Sequence, residues 1–478
     1  MRKTFNLQLS FGAIPIEDVK IPLRSRHEVA PVVRSLQAIY CNHEVNKKIF
    51  AILSAKIIGN KKQTGRPGMD LWYILVLGVL RLATNANYDE LEHYANFDRL
   101  IRQIMGLENN FDNHQVTFSY NTLRDNISQF DDNTLNQIND IIAQYGYSIA
   151  KKKEEEKRQI KVDSYVLEST VHFPTDINLL FDASRKCISI IAKLSQKHNL
   201  KGWRKSADWQ QRIKNLMRSL SKIAFNGGKN KEERVKKEAA KYIKIIELLN
   251  DKVTETILDL YDFNYESAEL MYFYNMQLKH IELIRRRIIN QEIIASDDKI
   301  VSLFETYTEW LNKGKQGGVE LGVKLLIATD QYDFIVDYQL MNNQVDLDQT
   351  IPVADRLLAK LGHNSISSIS YDKGFSKSGN KELIECYIPK VILDKRGKLS
   401  KADKEVEQEK SYKKLKFAHS AIESNINCLE HHGLDKCPDK GENAFKRYVG
   451  FGVLAYNLHK IGNILIENDL KLLQKKAS

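Results

Sequence analysis

The amino-acid sequence predicts a mixed α/β fold carrying two helical additions, one ahead of the sheet and one after its first strand. Strand-like runs at 159–169, 318–330, 332–341, the stretch ending at Asp372, and 387–393 alternate with helical segments. Their order is strand, hairpin, helix, strand, helix, strand, helix, that of a sheet with helices on its faces. Residues 176–312 are almost wholly helical in pattern and interrupt that order after the first strand. Residues 41–150 are also helical and precede it.

Composition sets the frame for these elements. A chain of 478 residues is long enough for two to four domains at roughly 100–200 residues each. With 42% apolar and 28% charged residues it has the balance of a soluble protein with a real core. The net charge of +11 suggests an acidic partner. It is concentrated between Arg185 and Lys231, where thirteen Lys or Arg face one acid, Asp208, a local +12 that accounts for the whole excess. Five scattered cysteines, Cys41, Cys187, Cys386, Cys428 and Cys437, are no disulfide framework and fit a reducing cytoplasm. The amino terminus lacks a continuous apolar stretch of the signal-peptide kind. The most apolar run, residues 71–83, contains Arg81 and is too short to cross a bilayer, so no membrane partner is expected.

In chain order, residues 1–40 read as an extended arm and 41–150 as several short helices joined by tight loops. Leu91, Tyr94, Ala95, Ile101 and Met105 recur at helical spacing, and Ser119 stands near a further helix start. Such a module fits a helix-turn-helix-like DNA-binding domain, and equally a helical packing domain with no ligand. "KKKEEEKR" (151–158) reads as a solvated linker. On the first strand, Ile160 and Val162 point one way and Lys161 and Asp163 the other. Later come the 318–341 hairpin, a helix over 349–362, the strand to Asp372, a helix over 378–386 and the strand 387–393. A charged loop, "KLSKADKEVEQEK", is followed by a helix over about 417–432 and a closing helix within 444–478.

The chemistry centres on Asp372, an acid at the tip of an apolar strand, followed by Gly374. Asp163 sits on the first strand of the same sheet. Glu423 lies on a helix whose buried stripe is Ile422, Ile426 and Leu429, with His419 and Glu430 also off that stripe. Two strand acids and one helix acid converging at a sheet end can hold two hard cations by oxygen ligation, an arrangement suited to phosphoryl transfer. Each acid taken alone is more often a turn former or helix cap. Asp330 and Asp337 are rival acids, explained by solvent exposure in the hairpin. "CLEHHGLDKC" (428–437) brings two Cys and two His together, but at a spacing that suits neither a zinc knuckle nor a finger.

The blocks "VDSYVLESTVHFPTDINLL" (162–180), "YTEWLNKGKQGGVELG" (307–322), "ISYDKGFSKSGN" (369–380) and "AHSAIESNINCLEHHGLDKCPDKG" (418–441) resemble the DDE transposases of bacterial insertion sequences, most nearly the ISNCY-type group. "TGRPGMDLWYILVLGVLRL" and "NYDELEHYANFDRLIRQIMGL" are similar to the amino-terminal module of those enzymes, and the likeness spans roughly 10–465. The resemblance implies an RNase H-like catalytic domain, residues 151–175 and 313–443, interrupted by a basic helical insertion at 176–312 and followed by a carboxy-terminal helix, 444–478. It implies Mg²⁺-dependent cutting of transposon ends, with Mn²⁺ as substitute, and strand transfer into double-stranded target DNA. Holding two ends implies a homodimer in a synaptic complex, in the cytoplasm and on the nucleoid when bound. Asp163, Asp372 and Glu423 would be the catalytic acids and metal ligands. His419 stands where related enzymes often carry arginine, and Lys436 is the next basic residue beyond the last acid; both are expected to contact DNA. In the 185–231 segment, Arg204, Lys205, Arg212, Lys214 and Arg218 would grip phosphates, with Trp203 and Trp209 serving as core. Two alternatives stay open: a nuclease of the same fold that nicks without joining, and a non-catalytic DNA-binding derivative of a transposase.

Overall fold

The computed structural model describes residues 13–59, 68–107, 116–260, 264–295, 298–312 and 318–477. The chain divides into two compact units, one formed by residues up to Thr170 together with those from Leu311 onward, the other by Val171–Trp310.

The first unit begins with helices α1 (Val29–Cys41), α2 (His43–Leu53), α3 (Leu71–Ala83), α4 (Tyr88–Phe97), α5 (Arg99–Ile104), α6 (Tyr120–Ile127) and α7 (Asp132–Ile149). Several start where the sequence supplies a side-chain acceptor for the free amides of a first turn. Asn42, Asn87, Asp98, Ser119 and Asp131 cap α2, α4, α5, α6 and α7. The extended arm expected over 1–40 is corrected in part. Residues 1–12 lie outside the described residues, but 29–41 are helix, because Val32, Val33, Leu36 and Ile39 fall on one buried stripe. The apolar run expected as a buried helix is α3, and even its Arg81 is enclosed, paired through both terminal nitrogens with Asp439 at 2.7 and 2.8 Å. The sequence division at residue 150 does not coincide with a break between units.

The second unit is helical: α8 (Asp176–His198), α9 (Ser206–Phe225), α10 (Lys231–Asp259) and α11 (Asn264–Ile284), the last running into a π-helical turn, Arg285–Ile289. Its core contains Leu180, Ile188, Ile213, Leu220, Tyr242, Ile246 and Leu270.

Strand β1 (Arg158–Ser169) is the centre of the sheet in the first unit. The others are β2 (Glu309–Asn312), β3 (Val319–Thr329), β4 (Ile335–Met341), β5 (Ile366–Tyr371), β6 (Lys390–Ile392) and β7 (Lys436–Cys437). The order is β2-β3-β1-β5-β6, with β4 also on β3 and β7 on β1. β3 runs antiparallel to β1 and β4 antiparallel to β3, while β5 is parallel to β1 and β6 to β5. The architecture is therefore mixed α/β. β2 and β7 were not expected from the sequence: at four and two residues they are too short to show a period.

The remaining helices are α12 (Asp346–Leu361), α13 (Asn380–Glu385), α14 (Lys401–Gln408), α15 (Lys410–His419), α16 (Ala421–Leu429) and α17 (Glu442–Ala477). Two expectations are corrected here. The charged loop after β6 is mostly helical, because Ser400 and Asp403 form a reciprocal capping box that starts α14. The single helix expected over 417–432 is two, broken at Ser420, and α16 ends in a π-helical turn, Glu430–Leu434, where Gly433 takes φ +94°. The closing helix begins two residues ahead of the expected 444 and packs along α1, α3 and α7. At Gly462 a Cβ would fall 1.8 Å from the Pro31 carbonyl oxygen, so only glycine permits the α1–α17 approach. No helix among the described residues is long and apolar enough to cross a membrane.

Candidate active site

Strand pairing brings the two strand acids side by side. The parallel register of β1 and β5 ends at Val162 opposite Tyr371, so Asp163 and Asp372 are each the next residue on adjacent strands. Neighbouring strands lie about 4.8 Å apart. Asp372 leaves the strand as the cap of a short 3₁₀ turn, Lys373–Phe375, and its Oδ2 accepts from the Gly374 amide at 3.2 Å. Glu423 stands in the first turn of α16, which packs on β1. Asp372 and Glu423 are exposed, and Asp163 is half-buried between them.

The electrostatics of Asp163 report this convergence. Burial pushes its carboxyl up to about 7; a 2.7 Å hydrogen bond from the Ser164 amide opposes the rise, and the charges of Asp372, Asp346 and Glu423 add to it. Asp346 is the member of the group that sequence reasoning missed. It begins α12, accepts from Ser164 Oγ at 2.7 Å and from Lys324 Nζ at 2.8 Å, and so leans on both central strands. A Cβ at Gly374 would lie 3.3 Å from Asp372 Oδ2 and 3.8 Å from Asp346 Oδ2, which places those two carboxylates across one narrow gap. Arg396 holds the loop behind Asp372 by donating to the carbonyls of Lys373 (3.1 Å) and Gly374 (2.5 Å).

Four carboxylates with one ammonium among them make an electronegative cluster, and carboxylate oxygens are the donors that a hard divalent cation takes. Asp163, Asp372 and Glu423 do not all come within 4.8 Å of one another.

His419, at the end of α15, packs behind Asp372. Ser370 Oγ donates to the Ile160 carbonyl (3.2 Å), and a hydroxyl has one proton. The 3.0 Å contact between Ser370 Oγ and His419 Nδ1 is therefore an Nδ1–H donation, which leaves Nε2 an acceptor. Burial holds His419 below the ordinary imidazole range, against the pull of Asp372 and Glu423, so the ring is neutral at pH 7. Lys436 is exposed on β7, 3.4 Å from Glu168.

In the helical unit, Arg204, Lys205, Arg212 and Arg218 are exposed and Lys214 half-exposed, and none forms an ion pair among the described residues. Trp203 is core: its Nε1 donates to Thr256 Oγ1 at 2.8 Å. Trp209 packs partly buried on the same core. The explanation of the rival acids is corrected, since both are buried. Asp330 Oδ1 accepts from the amides of Tyr332 (2.9 Å) and Phe334 (3.0 Å), shaping the β3–β4 turn, and Asp337 pairs with Arg356 at 3.0 Å. None of the five cysteines, all of them described residues, is in a disulfide.

The chain matches no family model, no curated protein and no solved structure.

Proposed function

We propose that the chain is a DDE transposase that cuts the ends of an insertion sequence and joins them to target DNA. The observation that supports the proposal is that Asp163 and Asp372 follow the paired ends of two adjacent parallel strands, and that the charges of Asp372 and Glu423 both reach Asp163, which is pushed up to about 7 mainly by burial. An RNase H-like domain needs its first acid on a central strand beside the acid of a parallel neighbour, and the β3-β1-β5 order supports that assignment. The helical unit is then an insertion between β1 and the rest of the sheet. Mg²⁺ held by the acids would activate the attacking water or 3′-hydroxyl and stabilise the leaving oxygen. Asp163 and Asp372 would flank the ions, Glu423 would complete the second position, and His419 Nε2 would accept from a sugar or water at the edge of the cluster. Double-stranded DNA is the partner, held by a homodimer at two ends.

The decisive variant is Asp372→Asn. It should keep binding to terminal-repeat DNA and lose Mg²⁺-dependent cleavage by on the order of a thousandfold. A wild-type protein that binds such DNA but cuts nothing with Mg²⁺ or Mn²⁺ would instead be a DNA-binding derivative, and one that nicks without joining a nuclease. Neutralising Arg204, Lys205, Arg212 and Lys214 together should weaken DNA binding and flatten its salt dependence, by about 0.9 in log–log slope for each phosphate left without its cation. An unchanged slope would remove this face from the interface.

A further inference from the structure

A second cluster of ligating side chains lies in the sheet-bearing unit, formed by Glu28, His432 and His459. Glu28 immediately precedes α1, His432 sits in the π-helical turn after α16, and His459 is on α17. Glu28 Oε2 is 2.7 Å from His459 Nε2 and 3.8 Å from His432 Nε2, and the three ligand atoms all lie within 4.8 Å of one another. They are the only three such atoms so disposed among the described residues. In a tetrahedral site with bonds of 2.0–2.1 Å, donor atoms stand roughly 3.4 Å apart. The observed separations bracket that value, so modest side-chain movement closes the set on an ion.

The orientation of His432 is already that of a ligand. Its Nδ1 lies 3.1 Å from the Ala83 carbonyl oxygen, which can only accept, so the proton is on Nδ1 and the Nε2 lone pair faces the cluster. His432 is buried and His459 half-buried. Burial holds both imidazoles below their ordinary range, the neutral form a metal requires, with Glu28 pulling the other way. Lys460, the next residue along α17, directs its ammonium to Asp333 (3.8 Å). For His459 to bind an ion its proton must sit on Nδ1, which is 3.2 Å from the Asn463 amide; turning that amide presents its oxygen as the acceptor.

We infer that Glu28, His432 and His459 form a structural site for a borderline-soft divalent ion of the Zn²⁺ class, fastening α1, the turn after α16 and α17 to one another. Two imidazoles and one carboxylate suit Zn²⁺ and leave one position for solvent, whereas Mg²⁺ favours oxygen donors alone. The inference is independent of the proposed catalytic activity.

The full-length chain, stripped with EDTA and dialysed, is titrated with Co²⁺ and then Zn²⁺. One equivalent of Co²⁺ should give the strong visible bands of a low-coordinate site, Zn²⁺ should displace it, and excess Mg²⁺ should not. Saturating Zn²⁺ should raise the melting temperature by about 3 °C or more. E28Q, at a partly exposed position, and H459Q should each weaken Zn²⁺ binding at least about tenfold, as loss of one of three protein ligands demands. C428S, C437S and the pair D163N and D372N should leave it unchanged. Absence of saturable one-to-one binding would overturn the assignment, as would unaltered affinity in E28Q with H459Q. Loss of the ion in D163N and D372N would move it to the acidic cluster, and loss in the cysteine variants to a thiolate site; either result also overturns it.

Discussion

The sheet carries carboxylates of two kinds, answered by cations and not, and the protein treats them in opposite ways. Lys161 and Asp163 are two residues apart and share one face of β1. Beside Lys161 the charge of Asp333 is answered. The lysine ammonium is 2.8 Å from Asp333, which also receives Asn425 Nδ2 at 3.2 Å and Lys460 at 3.8 Å. Burial pushes Asp333 up, but Lys161, Asn425 and Lys460 outweigh it and hold the carboxyl below its usual range. Asp163, also withdrawn from solvent, forms no ion pair among the described residues and is surrounded by three further acids. The difference teaches that an acid's role is set by where the cations are placed, because both groups look alike as sequence. Neutralised carboxylates hold the fold together; under the proposed function the unanswered ones would hold a cation.

The largest expected effect that separates the two groups is on stability against pH. In metal-free protein Asp163 titrates near 7 when folded and near 3.9 when unfolded. The folded state then holds the extra proton, so stability falls as pH rises from about 4 to about 7 and the loss is complete above that. Asp163→Asn should remove the penalty, stabilising the protein at pH 8 in EDTA by up to about 4 kcal/mol and flattening the decline from pH 5 to 8. Urea denaturation at the two pH values measures this, and an unchanged pH slope would mean that Asp163 is not held above its ordinary range in the fold.

Asp337→Asn tests the opposite case. It leaves Arg356 without its 3.0 Å partner and should destabilise by about 1–3 kcal/mol, while the Mg²⁺ concentration for half-maximal cleavage stays the same. Lost cleavage at full stability would erase the distinction between the groups. The smallest effect belongs to Asp346→Asn, which removes one of the four charges and frees Lys324 to oppose a cation. Half-maximal Mg²⁺ should rise about tenfold, equivalent to about 1.4 kcal/mol. No change would confine the ions to Asp163, Asp372 and Glu423.

The three acids were legible because each marks a position that periodicity alone can locate: a strand face, a strand tip, the polar side of an amphipathic helix. Asp346 was not, since it reads as an ordinary first-turn acid, and its role arises from Ser164 and Lys324 on strands far away in sequence. Asp330 and Asp337 were noticed but given the wrong cause, because a hairpin pattern does not reveal that its turn is covered. The helices α14 and α15 lack an apolar period, and the Ser400–Asp403 box was the one local signal that could have found them. Glu28, His432 and His459 had no shared motif at all; only the packing of the chain's two ends assembles them.

That packing has a consequence for synthesis. α3 is apolar on nearly every side, and part of its covering is α17, which the ribosome delivers only after the sheet and the whole helical unit. During translation the half-made chain therefore displays the α17-facing side of this greasy rod uncovered, and chaperone occupancy should peak in that interval and collapse once Glu442–Ala477 emerges.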